Sequence, residues 1–221
     1  MSTDDTPYTN PARSDDMQIL RRPIQVIRTD LGAYLVLNVV VYGLFLAGFA
    51  AALVFPELTA ARVEALQADG TADLVGWLFD KVWLFALVIL GVNTLTVGVA
   101  SILLPSMVVP FAGVAVFAYR AFTIGTTLAP VDENGWLILI PHSLTVVVEF
   151  QAYVLLVLGA YLLGRAWLRP ATVGVATRRQ GYVRGLRQAG WVAVPAFALL
   201  VFGAVYEAFS LRYLVPLLLQ G

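Results

Sequence analysis

Ionisable residues inside long apolar runs are the positions at which this sequence could carry chemistry. Asn93, Arg120 and Glu149 each lie near the middle of such a run. Charged side chains are costly inside a lipid bilayer, so they mark functional sites or buried pairs by default. Their common depth predicts an ion pair between Arg120 and Glu149, supported by the Asn93 amide.

Two further polar residues extend this layer along the run that contains Glu149. His142 precedes Glu149 by seven residues, which is two helical turns, or about 10 Å along the axis. Thr145 lies between them on nearly the same face. The predicted polar network therefore comprises Asn93, Arg120, His142, Thr145 and Glu149. Three interpretations stay open: a structural contact that holds a tilted bundle together, a transport or proton path, and catalysis.

Residue counts argue against catalysis and against a metal centre. The chain has a single histidine and no cysteine, which excludes thiolate nucleophiles and sites that need several imidazoles. A Ser–His dyad would have to use Ser143, about 100° from His142 around a helix, or a distant serine. Glycine-rich phosphate loops are absent. We therefore expect no enzyme activity, no metal and no cofactor.

The composition indicates which elements carry these residues. Of the 221 residues, 60% are hydrophobic and 13% are charged, whereas soluble domains are about half apolar and a quarter charged. The apolar runs are long enough for membrane-spanning helices. The sequence predicts an all-α polytopic membrane protein, a five-helix transmembrane bundle with spans at 33–55, 82–104, 111–129, 136–163 and 191–209. The apolar tail 211–219 either lies in the membrane interface or extends the last helix.

The remaining segments are predicted to lie outside the bilayer. Residues 1–32 form a cytoplasmic tail, in which 1–14 are disordered and 17–30 form a basic amphipathic helix on the membrane surface. Residues 33–221 form the membrane domain. Within it, segment 56–81 is either a short amphipathic helix on the outer surface or a solvated loop.

The distribution of arginines predicts the topology. Arginines cluster near the N-terminus and in one loop, which contains Arg165, Arg169, Arg178, Arg179, Arg184 and Arg187. Segment 56–81 instead has two basic and five acidic residues. Because cytoplasmic loops are enriched in arginine and lysine, we expect a cell-membrane protein with its N-terminus inside and its C-terminus outside. Basic and acidic residues balance at 14 each, so we expect no nucleic-acid partner.

Two short motifs resemble a known family. They are Pro141-His142-Ser143 and Glu149-Phe150-Gln151-Ala152, followed by a helix with Gly159 and Gly164 that ends in Arg165. This part of the chain, about 84–169, resembles the stage II sporulation protein M family. Those membrane proteins have about five spans with Pro-His-Gly and Glu-Leu-Pro-Ala motifs. Ser143 stands where the family has glycine, and the spacing from His142 to Glu149 is longer.

The resemblance implies a membrane scaffold or accessory protein that organises partner proteins, for example in cell-envelope remodelling. Its partners would be the lipid bilayer, other membrane or envelope proteins, and a second copy of the chain. The alternative is a membrane component of a transporter whose polar path includes His142 and Glu149.

Overall fold

The structure is a computed structural model that describes residues 22–68, 70–130 and 132–219. These ranges are helical and contain no strand, which confirms the all-α prediction. Residues 22–29 are helical and lead through a turn at Asp30 into the first long helix. The helices that follow are α1 (Leu31–Val54), α2 (Glu57–Ala68), α3 (Thr71–Leu78), α4 (Val82–Val108), α5 (Ala112–Leu128), α6 (Glu133–Leu168) and α7 (Arg178–Leu219). The predicted disordered segment 1–14 lies outside the described residues.

Helix length separates α5 from the other apolar helices. Within the described ranges, four helices are long and apolar enough to cross a membrane, namely α1, α4, α6 and α7. Helix α5 has 17 residues, or about 26 Å, which is slightly less than the hydrocarbon core of about 30 Å. The predicted third span, 111–129, therefore exists as an apolar helix, and its crossing stays a prediction. Residues 211–219 extend α7 as far as Leu219.

Helices α6 and α7 form a tightly packed antiparallel hairpin. A Cβ at Gly181 would overlap the carbonyl of Ala166, and a Cβ at Gly159 would lie 3.1 Å from the Cα of Ala189. The glycines allow the two backbones to approach closely along much of their length. Helix α6 is the most enclosed of the long helices, because 72% of its most apolar 18-residue stretch is buried. It therefore forms the centre of the bundle.

Helices α1 and α5 cross at two glycines. Gly48 of α1 faces the carbonyl of Phe122, and Gly125 of α5 faces the carbonyl of Phe45, with no room for a Cβ at either position. The two helices run parallel. Their starts both lie beside the end of α6, since Phe111 packs against Gly164 and Asp30 binds Arg165, and Thr59, just after α1, bonds Thr126 at the end of α5. The crossing fixes the rotation of α5 about its axis.

Segment 56–81 is helical. Helices α2 and α3 are separated by Gly70, whose φ of +77° is readily adopted by glycine. The Thr59 hydroxyl donates to the carbonyl of Thr126 at 3.0 Å, so α2 packs on the end of α5. The solvated-loop alternative is therefore wrong. Apolar and charged residues are not separated onto two faces of α2, so the predicted amphipathic pattern is wrong for this helix.

Candidate functional site

Glu149 lies where α4, α6 and α7 meet. Its Oε1 accepts a hydrogen bond from Nδ2 of Asn93 on α4 at 2.5 Å. Its Cγ packs against Gly203 of α7, where a Cβ would be only 3.0 Å away. Gly203 therefore provides the space in which the carboxylate sits, and Asn93 supplies a donor to it.

A second carboxylate lies one helical turn further along α7. Glu207 follows Gly203 by four residues and therefore shares its face. Its Oε1 is 3.9 Å from Nδ1 of His142, and the two side chains are only 17% and 18% exposed. Asn93, His142, Glu149 and Glu207 together are called the acidic site below.

The predicted pairing of Arg120 with Glu149 is not formed. In the described ranges the ion pairs within 4 Å are His142–Glu207, Arg165–Asp30 and Arg212–Asp80. Arg120 lies at about the same level of the bundle as Glu149, because Phe117, one turn from Arg120, packs against Phe150 of α6. Arg120 lies on a different face of α5 from the predicted one, because it lines a cleft of about 620 Å³ between α5 and α2. The α1–α5 crossing fixes the rotation of α5 about its axis, and this rotation turns Arg120 away from Glu149.

Thr145 lies inside the bundle between His142 and Glu149. It is 1% exposed, and its hydroxyl has no hydrogen-bond partner among the described residues. One turn earlier in α6, the Pro141 carbonyl accepts a hydrogen bond from the Tyr206 hydroxyl at 3.2 Å. The structure thus places Asn93, His142, Thr145 and Glu149 of the predicted network along the inner side of α6. The motif residue Ser143 is exposed and donates to the Ile140 carbonyl at 2.7 Å.

Sequence reasoning missed the contribution of Glu207. The predicted fifth span ended at residue 209, which placed this carboxylate near the outer end of the helix. Helix α7 instead continues for a further ten residues to Leu219, so Glu207 is interior. The apolar run 211–219 indicates that the helix continues beyond residue 209, and this continuation would have placed Glu207 inside the helix.

The helices that build the acidic site depart from regular α-helical winding beside it. Helix α4 is wound as a π-helix over Val92–Leu103, starting next to Asn93. Helix α7 contains a π-helical segment at Ser210–Leu214, which begins three residues after Glu207. Pro141 lies inside α6, next to His142. Such irregularities are frequent at functional sites, where they redirect side chains and free backbone carbonyls.

A separate polar cluster joins α1 to α6. Gln151 accepts a hydrogen bond from the Tyr34 hydroxyl at 2.7 Å and donates to Asn38 at 2.8 Å and to the Tyr42 oxygen at 3.0 Å. The Tyr42 hydroxyl in turn donates to the Val147 carbonyl at 3.1 Å. The Gln151 amide bonds through both its oxygen and its nitrogen, so this cluster is a structural contact between the helices.

The six arginines of the predicted basic loop divide into two groups. Arg165, Arg184 and Arg187 line a cleft at one end of the bundle, together with Arg22. The others lie outside that cleft: Arg169, Arg178 and Arg179. Arg165 is anchored by Asp30, with Nη1 to Oδ1 at 2.5 Å. The cleft therefore joins arginines from both of the segments that the charge pattern assigned to one side.

No protein-family model, curated protein or solved structure matches the chain. Within the described residues, no group of three or more His, Cys, Asp or Glu side chains is placed to hold a metal ion. What the acidic site does must therefore follow from its own geometry and chemistry.

Proposed function

We propose that the chain is an integral membrane protein whose acidic site binds and releases protons as part of a transport component. The exterior of the helices supports the membrane location. Val39 of α1 is 73% exposed and Leu95 of α4 is 64% exposed, and many other large apolar side chains point outward. Soluble monomers rarely expose so much contiguous apolar surface, whereas a bilayer covers it.

Five crossings are part of this proposal, and the path of α5 supports them. The ring of Phe111, at the start of α5, packs against Gly164 near the end of α6. Gly125, at the other end of α5, lies against Phe45 of α1. Helix α5 thus runs parallel to α1 and antiparallel to α6, between the two ends of the bundle. A bundle can accommodate such a short helix by local thinning of the bilayer.

One observation carries the proton-binding role. Glu149 and Glu207 come together on the α6–α7 interface, and in the described part of the chain neither lies within 4 Å of an arginine or lysine. Two uncompensated carboxylates in a low-dielectric interior are costly, and binding a proton removes a charge. Asn93 donates to one carboxylate, and His142 lies beside the other. These are the residue types of intramembrane proton relays.

The π-helical segments of α4 and α7 further favour a functional site over a purely structural contact. The Gln151 cluster shows how this bundle joins α1 to α6 by a structural contact, with donors matched to acceptors. The acidic site instead places two carboxylates on the α6–α7 interface, and the two helices that contribute to it besides α6, namely α4 and α7, are wound partly as π-helix. A contact that served stability alone would not need this arrangement.

The test measures protonation directly. We would reconstitute the chain in lipid nanodiscs and record infrared difference spectra of the carboxyl C=O band between alkaline and acidic buffer. The wild type should show a band from protonated interior carboxyls. Glu149→Gln and Glu207→Gln should each reduce that band, because glutamine fills the same space and does not titrate. In proteoliposomes, the same substitutions should slow dissipation of an imposed pH gradient.

Glu133→Gln is the matched control, because it removes an exposed carboxylate at the start of the same helix, α6. It should leave both the interior band and the proton flux unchanged. An infrared band that survives in the Glu149→Gln/Glu207→Gln double variant would refute the proposal.

A scaffold is the second candidate function, favoured by helices α2 and α3. They expose large apolar side chains beside acidic ones: Leu58, Val63, Leu74 and Trp77 beside Glu57, Glu64 and Asp73. The resemblance to the stage II sporulation protein M family also supports a partner-organising role. Cross-linking in native membranes should then capture a partner that is lost in Leu74→Ser/Trp77→Ser. The same partner should be retained in Glu149→Gln.

A further inference from the structure

A basic cleft of about 440 Å³ lies at one end of the bundle. Its walls are helical residues 22–29, the end of α6, the short helix Pro170–Val173 and the start of α7. Among the described residues, its charged side chains are Arg22, Asp30, Arg165, Arg184 and Arg187. Four arginines against one aspartate leave a formal charge of +3 in this part of the cleft.

The contacts within the cleft hold three of the guanidinium groups in place and neutralise only that of Arg165. Asp30 binds Arg165 at 2.5 Å, while Nη1 of Arg184 donates to the carbonyl of Val173 at 2.5 Å. The guanidinium of Arg22 lies over the ring of Trp191, 5.0 Å from its centre. A planar guanidinium presents paired N–H donors that match phosphate oxygens. The cleft is therefore suited to an anionic phosphate group.

An apolar groove continues from this cleft. It has a volume of about 430 Å³ and shares Thr29, Asp30 and Arg165 with the cleft. From there it runs between α1 and α6 past Val36 and Tyr161. A charged cleft that opens into an apolar groove matches a ligand with a phosphate head and a hydrocarbon chain.

We infer that the cleft and groove together bind an anionic phospholipid, with its phosphate among the arginines and an acyl chain along the groove. The cleft lies where the apolar part of each helix ends: α1 begins at Leu31, directly after Asp30, and Arg165 lies three residues before the end of α6. This is the level at which lipid headgroups meet a membrane helix. The inference rests on the membrane location in the proposed function and is independent of the acidic site.

The test compares ligands and charge-matched variants. Native mass spectrometry of the detergent-purified chain would measure binding of phosphatidylglycerol, phosphatidylcholine and inorganic phosphate. Wild-type protein should prefer phosphatidylglycerol to the other two. Arg184→Gln/Arg187→Gln should weaken phosphatidylglycerol binding by at least about tenfold, since each arginine contributes a charge-assisted contact. Arg169→Gln/Arg178→Gln removes the same charge from the same loop outside the cleft, and should weaken binding by less than about twofold.

Several results would overturn the inference. Equal losses in the two double variants would indicate general attraction to a basic surface. Effective displacement of phosphatidylglycerol by inorganic phosphate would indicate a site for a free anion. If Arg184→Gln/Arg187→Gln does not fold, the single variant Arg187→Gln replaces it in the test. Unchanged phosphatidylglycerol binding by that single variant would also count against the inference. Glu149→Gln/Glu207→Gln should bind phosphatidylglycerol normally, so failure of the proton-binding proposal can be distinguished from failure of this one.

Discussion

At the scale of single residues, the hydrogen bond from Asn93 to Glu149 connects two helices at the point where the bundle is most polar. Its donor and acceptor are 2.5 Å apart, and the contact is partly buried. Hydrogen bonds to charged groups contribute about 1.5–3 kcal/mol to stability. Losing one partner costs more, because the other group then stays desolvated without a contact.

This contact predicts energetic coupling between Asn93 and Glu149. A double-mutant cycle with Asn93→Leu and Glu149→Leu, followed by unfolding in detergent, should give a coupling of at least about 1 kcal/mol. The matching cycle with Arg120→Leu and Glu149→Leu should be additive within about 0.5 kcal/mol, since the two side chains are not in contact. Strong coupling in the second cycle alone would mean that Arg120 reaches Glu149 after all.

The level of these residues along the bundle could be predicted from the sequence. The direction in which each side chain points could not. Counting along the apolar runs placed Asn93, Arg120 and Glu149 in one layer, and Asn93 and Glu149 do meet. Whether a side chain points inward depends on helix rotation. For α5 that rotation follows from backbone contacts at Gly125, which involve residues far away in the chain.

At the scale of helices, the crossing of α1 and α5 depends on two positions without a side chain. At Gly125, a Cβ would overlap the carbonyl of Phe45 and also meet the backbone nitrogen of Phe49. Backbone atoms cannot move aside as a flexible side chain can. The helices would therefore have to separate to accept even a methyl group.

Gly125→Ala should therefore destabilise the bundle by about 1–3 kcal/mol, the usual cost of overpacking. Gly43→Ala is the matched control on α1, because nothing lies within 4 Å of a Cβ at that position. It should be neutral or stabilising by up to about 1 kcal/mol, because alanine favours helix. Thermal unfolding in detergent would measure both. Equal destabilisation by the two substitutions would show that the crossing is not where the structure has it.

Topology belongs to the scale of the whole molecule, and the basic cleft bears on it. The positive-inside pattern assigned the N-terminal arginines and the 165–190 loop to the cytoplasm separately. In the structure Arg22 and Arg187 line the same cleft, and Asp30 binds Arg165. Both segments are therefore at one end of the bundle. This needs an even number of crossings from the start of α1 to the end of α6; α1, α4 and α6 give three, so a crossing by α5 would supply the fourth.

The last prediction tests that crossing, and the absence of cysteine from the chain makes the test simple. Single cysteines at Gln67, Glu133 and Ala176 mark α2, the start of α6 and the connection between α6 and α7. With five crossings and the N-terminus inside, a membrane-impermeant thiol reagent applied to intact cells should label positions 67 and 133, and should label position 176 only after lysis. If α5 does not cross, α6 must begin inside, so position 133 becomes protected and position 176 becomes accessible. That reversal would reduce the bundle to four crossings and would place the Arg-rich loop outside, against the charge pattern.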